Sequence, residues 1–333
     1  MAYNSLVWFC LLFTWLAAAP AANPYSWPHT SLRPLSETIP TPAGFRRVPA
    51  DQGSFALWLR NLPVRPDGTP VRLFDGSQKG NQAAHEAVLD VDVGARDHQQ
   101  CADAVMRLRA EYLFAAGREF EICFRATNGA ALPWSAWKSG QRPHLSGKRI
   151  EWRRQGHGDG SWPDFRKYLD FVFVYAGTWS LQRQLAPVED IAQIQAGDVF
   201  IQGGFPGHAV VVVEVAQDDQ GQRVFMLAQS YMPAQDIHVL KNPGSNSPWY
   251  PARSGKLLVT PEWVFEPPRL MRFRDSEGCA AASAARQKNL KGIASVLSGS
   301  TRAQGASREA ARPRGGRGDP AGVARRGEGL TPP

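Results

Sequence analysis

The feature that most constrains this chain is the run Ala209-Val210-Val211-Val212-Val213, continued by Glu214 and Val215. Four valines in a row are stiff about χ1 and favour extended backbone. A strand presents successive side chains to opposite faces, so a strand that is apolar at every position needs cover on both sides. The run therefore predicts a central strand of a covered sheet. His208 opens it, just after the loop Gly203-Gly204-Phe205-Pro206-Gly207, and a short strand from Val199 to Ile201 leads into that loop. A histidine at a strand mouth lies at the edge of the core, where a general base can reach a nucleophile and a substrate. The next strand runs from Val224 to Gln229 after a turn around Asp218-Asp219-Gln220-Gly221. A turn centred between Asp218 and Asp219 sets Gln229 opposite His208, where it can fix the imidazole tautomer. A turn nearer Gly221 moves the partner to Met232 or Pro233.

A nucleophile is available upstream. Residues 97–117 read as a helix, with Asp97 as N-cap, Gln100 completing a capping box and Gly117 as the stop. Cys101, Val105, Leu108 and Tyr112 share one face, so Cys101 sits in the first turn and points inward. The positive end of a helix dipole lowers a thiol's pKa, and a thiolate is the nucleophile. Gln99 and Gln100 are each placed to offer an amide donor to an oxyanion. The plain alternative is packing, since cysteine on an apolar helix face is usually inert. His208 likewise has a structural alternative, and His98, close to the thiol, is the spare base.

Charge argues against nucleic acid. The formal net charge is +8, but from Arg274 onward eleven Lys and Arg stand against five Asp and Glu, so +6 of it lies there. The rest is close to neutral. Residues 276–333 lack apolar periodicity and read as a disordered basic tail. At the other end, the apolar run Leu6 to Leu16 and the small residues after it read as a signal peptide over 1–22. Export to the periplasm or outside the cell is expected, with no transmembrane span. Residues 23–50, rich in Pro, Ser and Thr, read as an extended lead-in. Residues 54–95 mix short β-like runs, Phe55 to Leu62 and Val71 to Phe74 among them, with turns. Of the cysteines after the signal, Cys123 and Cys279 can pair and leave Cys101 free. No Cys/His spacing fits zinc, and no metal or cofactor is expected.

Between nucleophile and base, residues 118–190 carry Trp134, Trp137, Trp152, Trp162 and Trp179 among several arginines. Such a surface can hold sugars or anionic polymers, and Trp134 and Trp137 are candidate substrate contacts; a satellite core is the alternative. Thr178 can line the cleft or cap a short helical run, Trp179 to Leu185.

The order of helix-borne Cys, Gly197-Asp198, and Gly207-His208-Ala209-Val210 resembles the papain-like superfamily, and within it the NlpC/P60 and CHAP cell-wall hydrolases. A closer resemblance is to DUF4846, a secreted bacterial family without assigned activity. It is carried by Gln100-Cys101-Ala102-Asp103, Arg107-Leu108-Arg109-Ala110-Glu111-Tyr112, Ala176-Gly177-Thr178, Gly207-His208-Ala209-Val210 and Gln229-Ser230-Tyr231-Met232-Pro233-Ala234-Gln235. The chain departs from NlpC/P60 at the nucleophile, which has Gln-Cys-Ala-Asp in place of Asp-Cys-Ser-Gly. The resemblance implies an α+β papain-like domain over residues 51–275, with a nucleophile helix packed on an antiparallel, partly barrel-like sheet and a Trp-rich insertion at 118–190. It implies a cysteine peptidase or amidase with Cys101, His208 and Gln229 as catalytic residues. Gln99 or Gln100 is then at the oxyanion, Tyr231 and Thr178 near the substrate, and a peptide or peptidoglycan-like polymer is the substrate. A non-catalytic glycan-binding module, or a structural envelope protein held through its basic tail, remains open.

Overall fold

The central strand is where the valine run places it, and the rest of the fold is arranged around it. The structure, a computed structural model, describes residues 25–274. The expected signal segment and basic tail lie outside them.

The helices that matter here are α1 (Phe55–Arg60), α2 (Cys101–Ala115), α3 (Trp162–Tyr175) and α4 (Thr178–Gln184). The strands are β1 (His85–Val88), β2 (Ala186–Pro187), β3 (Val199–Gln202), β4 (His208–Gln217), β5 (Arg223–Gln229), β6 (His238–Leu240), β7 (Leu258–Val259), β8 (Val264–Phe265) and β9 (Leu270–Arg272). Seven of these lie side by side in the order β1-β6-β5-β4-β3-β9-β2, with Arg46–Arg47 added on β4 and Trp249–Pro251 on β5. Every pairing in the sheet is antiparallel. The domain is α+β, and its sheet does not close into a barrel among the described residues, because the path ends at short edge strands on both sides.

β4 is buried from His208 to Ala216. On one face Ala209, Val211 and Val213 join the main core with α2; on the other Val210, Val212 and Val215 pack with Phe200, Phe225, Leu227 and Phe265. Burying each valine stabilises the fold by about 1.5–3 kcal/mol. The β4–β5 register runs from Arg223 with Gln217 to Met226 with Glu214, then shifts by one to Leu227 with Val212 and Ala228 with Val211. Val213 is the extra residue of this bulge. The hairpin is centred near Gln220, so unbroken pairing would set Gln229 against Val211; the bulge brings it to Val210, not opposite His208. The two side chains are diagonal neighbours on one face, still within reach of each other.

α2 is buried on every side from Cys101 to Leu113, not along one stripe. The reason is the aromatic segment, which covers the face turned away from the sheet. Phe114 stacks on Phe165 of α3 with centroids 4.4 Å apart, and Trp134 meets Phe165 edge-on. Trp134 and Trp137 are thus core residues in place of the surface contacts expected of them. Their indole N–H groups are taken by Glu119 at 2.6 Å and Asp164 at 3.0 Å.

Two local readings change. Phe55–Arg60 is helix where an extended run was expected, because Ser54 Oγ accepts the Leu57 N–H and starts a turn. Tyr25 and Trp27, in the stretch read as a lead-in, are buried: the Tyr25 hydroxyl donates to Trp58 O and the Trp27 indole to Asp90 O.

Candidate active site

α2 begins at Cys101, four residues later than its sequence suggests, with Gln100 as N-cap. The Gln100 N–H donates to Asp103 Oδ2 at 3.1 Å, so Asp103 carries the reciprocal half of the capping pattern. Asp97 is not the cap. Its Oδ1 accepts the Ala234 N–H at 2.6 Å and the Gln100 side-chain amide at 2.9 Å, tying the start of the helix to the chain after β5. Ser230 makes a second tie, its hydroxyl donating to Gln99 O at 2.8 Å. These contacts carry the N-terminus of α2 to the mouth of β4, where the Ala209 amide lies close enough to favour the Cys101 thiolate.

His208 is walled in at that mouth. The rings of Tyr231, Trp263 and Phe265 lie with centroids 5.0, 5.1 and 5.9 Å from it. The glycine before it has no room for a side chain: a Cβ on Gly207 would lie 2.5 Å from both Gly204 O and Thr178 Oγ1. Thr178 bonds both the N–H and the carbonyl of Gly204, so it tethers the loop into His208 and does not cap α4. Gly197-Asp198 anchors the entry to β3, with the Arg272 guanidinium on both Asp198 oxygens at 2.6 and 2.9 Å.

The proton positions follow from donor and acceptor types. Glu262 Oε2 receives the Lys79 ammonium and the Gln229 side-chain amide, the latter at 2.8 Å. A carboxylate only accepts, so Gln229 must turn its NH2 to Glu262 and its Oε1 away. His238 agrees: its Nδ1 donates to Asp236 O at 2.9 Å, which leaves Nε2 to accept the second Gln229 N–H at 3.4 Å. Gln229 Oε1 then faces His208 Nε2 at 2.9 Å and needs a donor there. His208 carries its proton on Nε2, and Nδ1 keeps a lone pair.

Burial sets the resting charges. It pulls the His208 imidazole down to about 4, against the raising effect of the Gln229 bond and with the Lys79 ammonium adding to the fall. Burial pulls His238 down to about 3. It also pushes the Cys101 thiol up to about 11, with Asp103 adding to the rise and the amides of Ala209, Ala102 and Cys101 opposing it. The dipole effect expected at the helix start is outweighed by desolvation. At neutral pH the pair rests as thiol and neutral imidazole.

The two glutamines separate. Gln100 spends its amide on Asp97. Gln99 is fully buried; its Oε1 accepts Arg107 Nη1 at 3.0 Å, and its Nε2 has no protein partner. Arg107 is held by Glu111 at 2.7 Å and Asp92 at 2.8 Å. Gln99 thus keeps an oriented, unspent donor two residues before the cysteine, and Gln100 does not. His98, the spare base, is half-buried, and its Nδ1 has no partner.

Glu262, Lys79, His238 and Trp263 were not among the expected site residues. Their signal is faint: a charge in Pro261-Glu262-Trp263, and a lysine in a loop more than a hundred residues from β4. Cys123 is disulfide-bonded, Cys101 is a free thiol, and Cys279 lies outside the described residues. Among the described residues no helix is long and apolar enough to cross a membrane. No curated protein matches the chain, and no solved structure does. Residues 35–272 match the family model DUF4846, a domain of unknown function, and the chain belongs to that family.

Proposed function

We propose that this protein is an exported cysteine hydrolase of papain-like kind, a peptidase or amidase acting on cell-wall peptides. One observation carries the reading: the 2.9 Å bond from His208 Nε2 to a Gln229 oxygen whose orientation is dictated by Glu262. That bond leaves an imidazole lone pair at the mouth of β4, the strand whose Ala209 amide favours the Cys101 thiolate. In the reaction, His208 Nδ1 takes the thiol proton as the sulfur adds to an amide carbonyl carbon. The C–N bond breaks, the proton passes to the leaving nitrogen, and a thioester remains. Water then gives a proton to Nδ1 and adds to the thioester carbon; the C–S bond breaks and the proton returns to sulfur. Gln99 Nε2 is the donor for the oxyanion of both additions. Because the resting pair is neutral, proton transfer accompanies attack instead of preceding it.

A second reading, a non-catalytic envelope or glycan-binding module, is favoured by one fact: Cys101 and His208 are 9% and 1% exposed. One comparison separates the two. Purified cell wall incubated with wild type is expected to release peptides, and Cys101→Ala to release none above background. Equal release by both removes the hydrolase and leaves the binding module.

A further inference from the structure

The turn between β7 and β8 reaches over the site and places a charged pair beside it. Thr260 closes that turn, its N–H and hydroxyl both donating to Trp263 O and its oxygen accepting the Trp263 N–H. Within it, Trp263 lies against His208 while Glu262 turns to Gln229. From the other side, the loop ahead of β1 brings Lys79 onto Glu262 Oε2 and Asn81 Nδ2 onto Oε1 at 3.3 Å. The Tyr231 hydroxyl donates to Glu262 O at 3.4 Å. Lys79 and Glu262 are mostly buried, with side chains 7% and 13% exposed. A buried ion pair of this kind is weak as a stabilising device, because desolvation offsets most of the attraction. It is strong as an orienting device, since it fixes which end of a neighbouring amide faces it.

We propose that Glu262 and Lys79 are positioning residues for the Cys101–His208 pair: their ion pair locks the Gln229 amide so that His208 keeps its proton on Nε2 and its lone pair on Nδ1. The inference rests on the hydrolase reading, in which Nδ1 is the base. Without the carboxylate, only the long 3.4 Å bond to His238 Nε2 holds the amide, and Gln229 can turn its NH2 towards His208. That NH2 demands an acceptor at Nε2, so the proton moves to Nδ1 and the base is lost. Lys79 has a second effect, because its charge disfavours a proton on the imidazole. The groups around His208 that bear on its titration are Lys79 from the loop before β1, Glu262 through Gln229, His238 on β6, Tyr231 after β5, and Cys101 on α2.

The test is ¹⁵N imidazole spectroscopy of the full chain, which reports the tautomer with no substrate present. Wild type should show His208 protonated at Nε2 at pH 7. Glu262→Ala and Glu262→Leu should move a large fraction to the Nδ1–H form and lower peptide release from purified cell wall by on the order of 10²-fold. Thr260→Val, which loosens the same turn but keeps the carboxylate, should leave the tautomer as in wild type. Lys79→Met should raise the His208 titration midpoint. An unchanged Nε2–H tautomer in either folded Glu262 variant overturns the proposal. Should neither fold, the lysine arm decides, and an unmoved midpoint overturns it. If wild type releases no peptide, the hydrolase reading fails while the tautomer result still stands by itself.

Discussion

Two buried polar networks flank the start of α2, and they are built on opposite plans. Beneath the helix, the Arg107 guanidinium is fully buried and meets Glu111, Asp92 and Gln99 Oε1. The Arg107 cation is met on both sides by carboxylates, and Arg166 adds a second cation at Asp92. At the mouth of β4, the chain from Asp236 O through His238, Gln229 and His208 is as well fixed along its length but open at its end. The Cys101 thiol is free, and Gln99 Nε2 has no protein partner. A closed network holds a fold together, whereas an open-ended one holds groups ready for something that is not part of the chain.

The largest expected effect breaks the closed network. Arg107→Met leaves Glu111 and Asp92 without their shared cation and should cost about 3–5 kcal/mol in urea unfolding. A loss under about 1 kcal/mol would mean the network is not saturated in the way described. Next comes acid. In the unfolded chain His208 takes up its proton near the ordinary value of 6.5, but in the fold only near 4. Stability from this group is therefore whole above about pH 6.5 and is lost as pH falls through that window, by about 3 kcal/mol at the bottom. His238, held down to about 3, extends the loss further. Unfolding free energy measured from pH 7 to 4 checks this, and a flat profile speaks against neutral buried imidazoles. The smallest effects sharpen the difference between the two glutamines. Gln99→Ala should slow peptide release by on the order of 10²-fold, as loss of an oxyanion donor does. Gln100→Ala should change it by no more than about twofold, and stability by about 0.5–1 kcal/mol. The reverse ranking would reassign the oxyanion donor.

Much of this site can be read from local pattern. The valine run places β4, the Gly-His step places His208 at its mouth, and the spacing of Cys101, Val105, Leu108 and Tyr112 places the helix. What escapes the sequence is whatever depends on distant neighbours. The hairpin turns near Gln220 and not between Asp218 and Asp219, so even with the one-residue bulge at Val213 Gln229 stands diagonal to His208. Trp134 and Trp137 look like a binding surface until α2 is seen to need cover on its outer face. The thiol looks activated by its helix until burial is weighed against the dipole. Glu262 is one acidic residue among thirty Asp and Glu until the fold sets it against Gln229.

The most direct measurement is to quench the full chain in acid during reaction with purified cell wall and weigh it. The hydrolase account predicts an added mass carried as a thioester on Cys101, absent from Cys101→Ala and from His208→Ala. Peptide release that proceeds with no adduct on Cys101, and at the same rate in both variants, would contradict it.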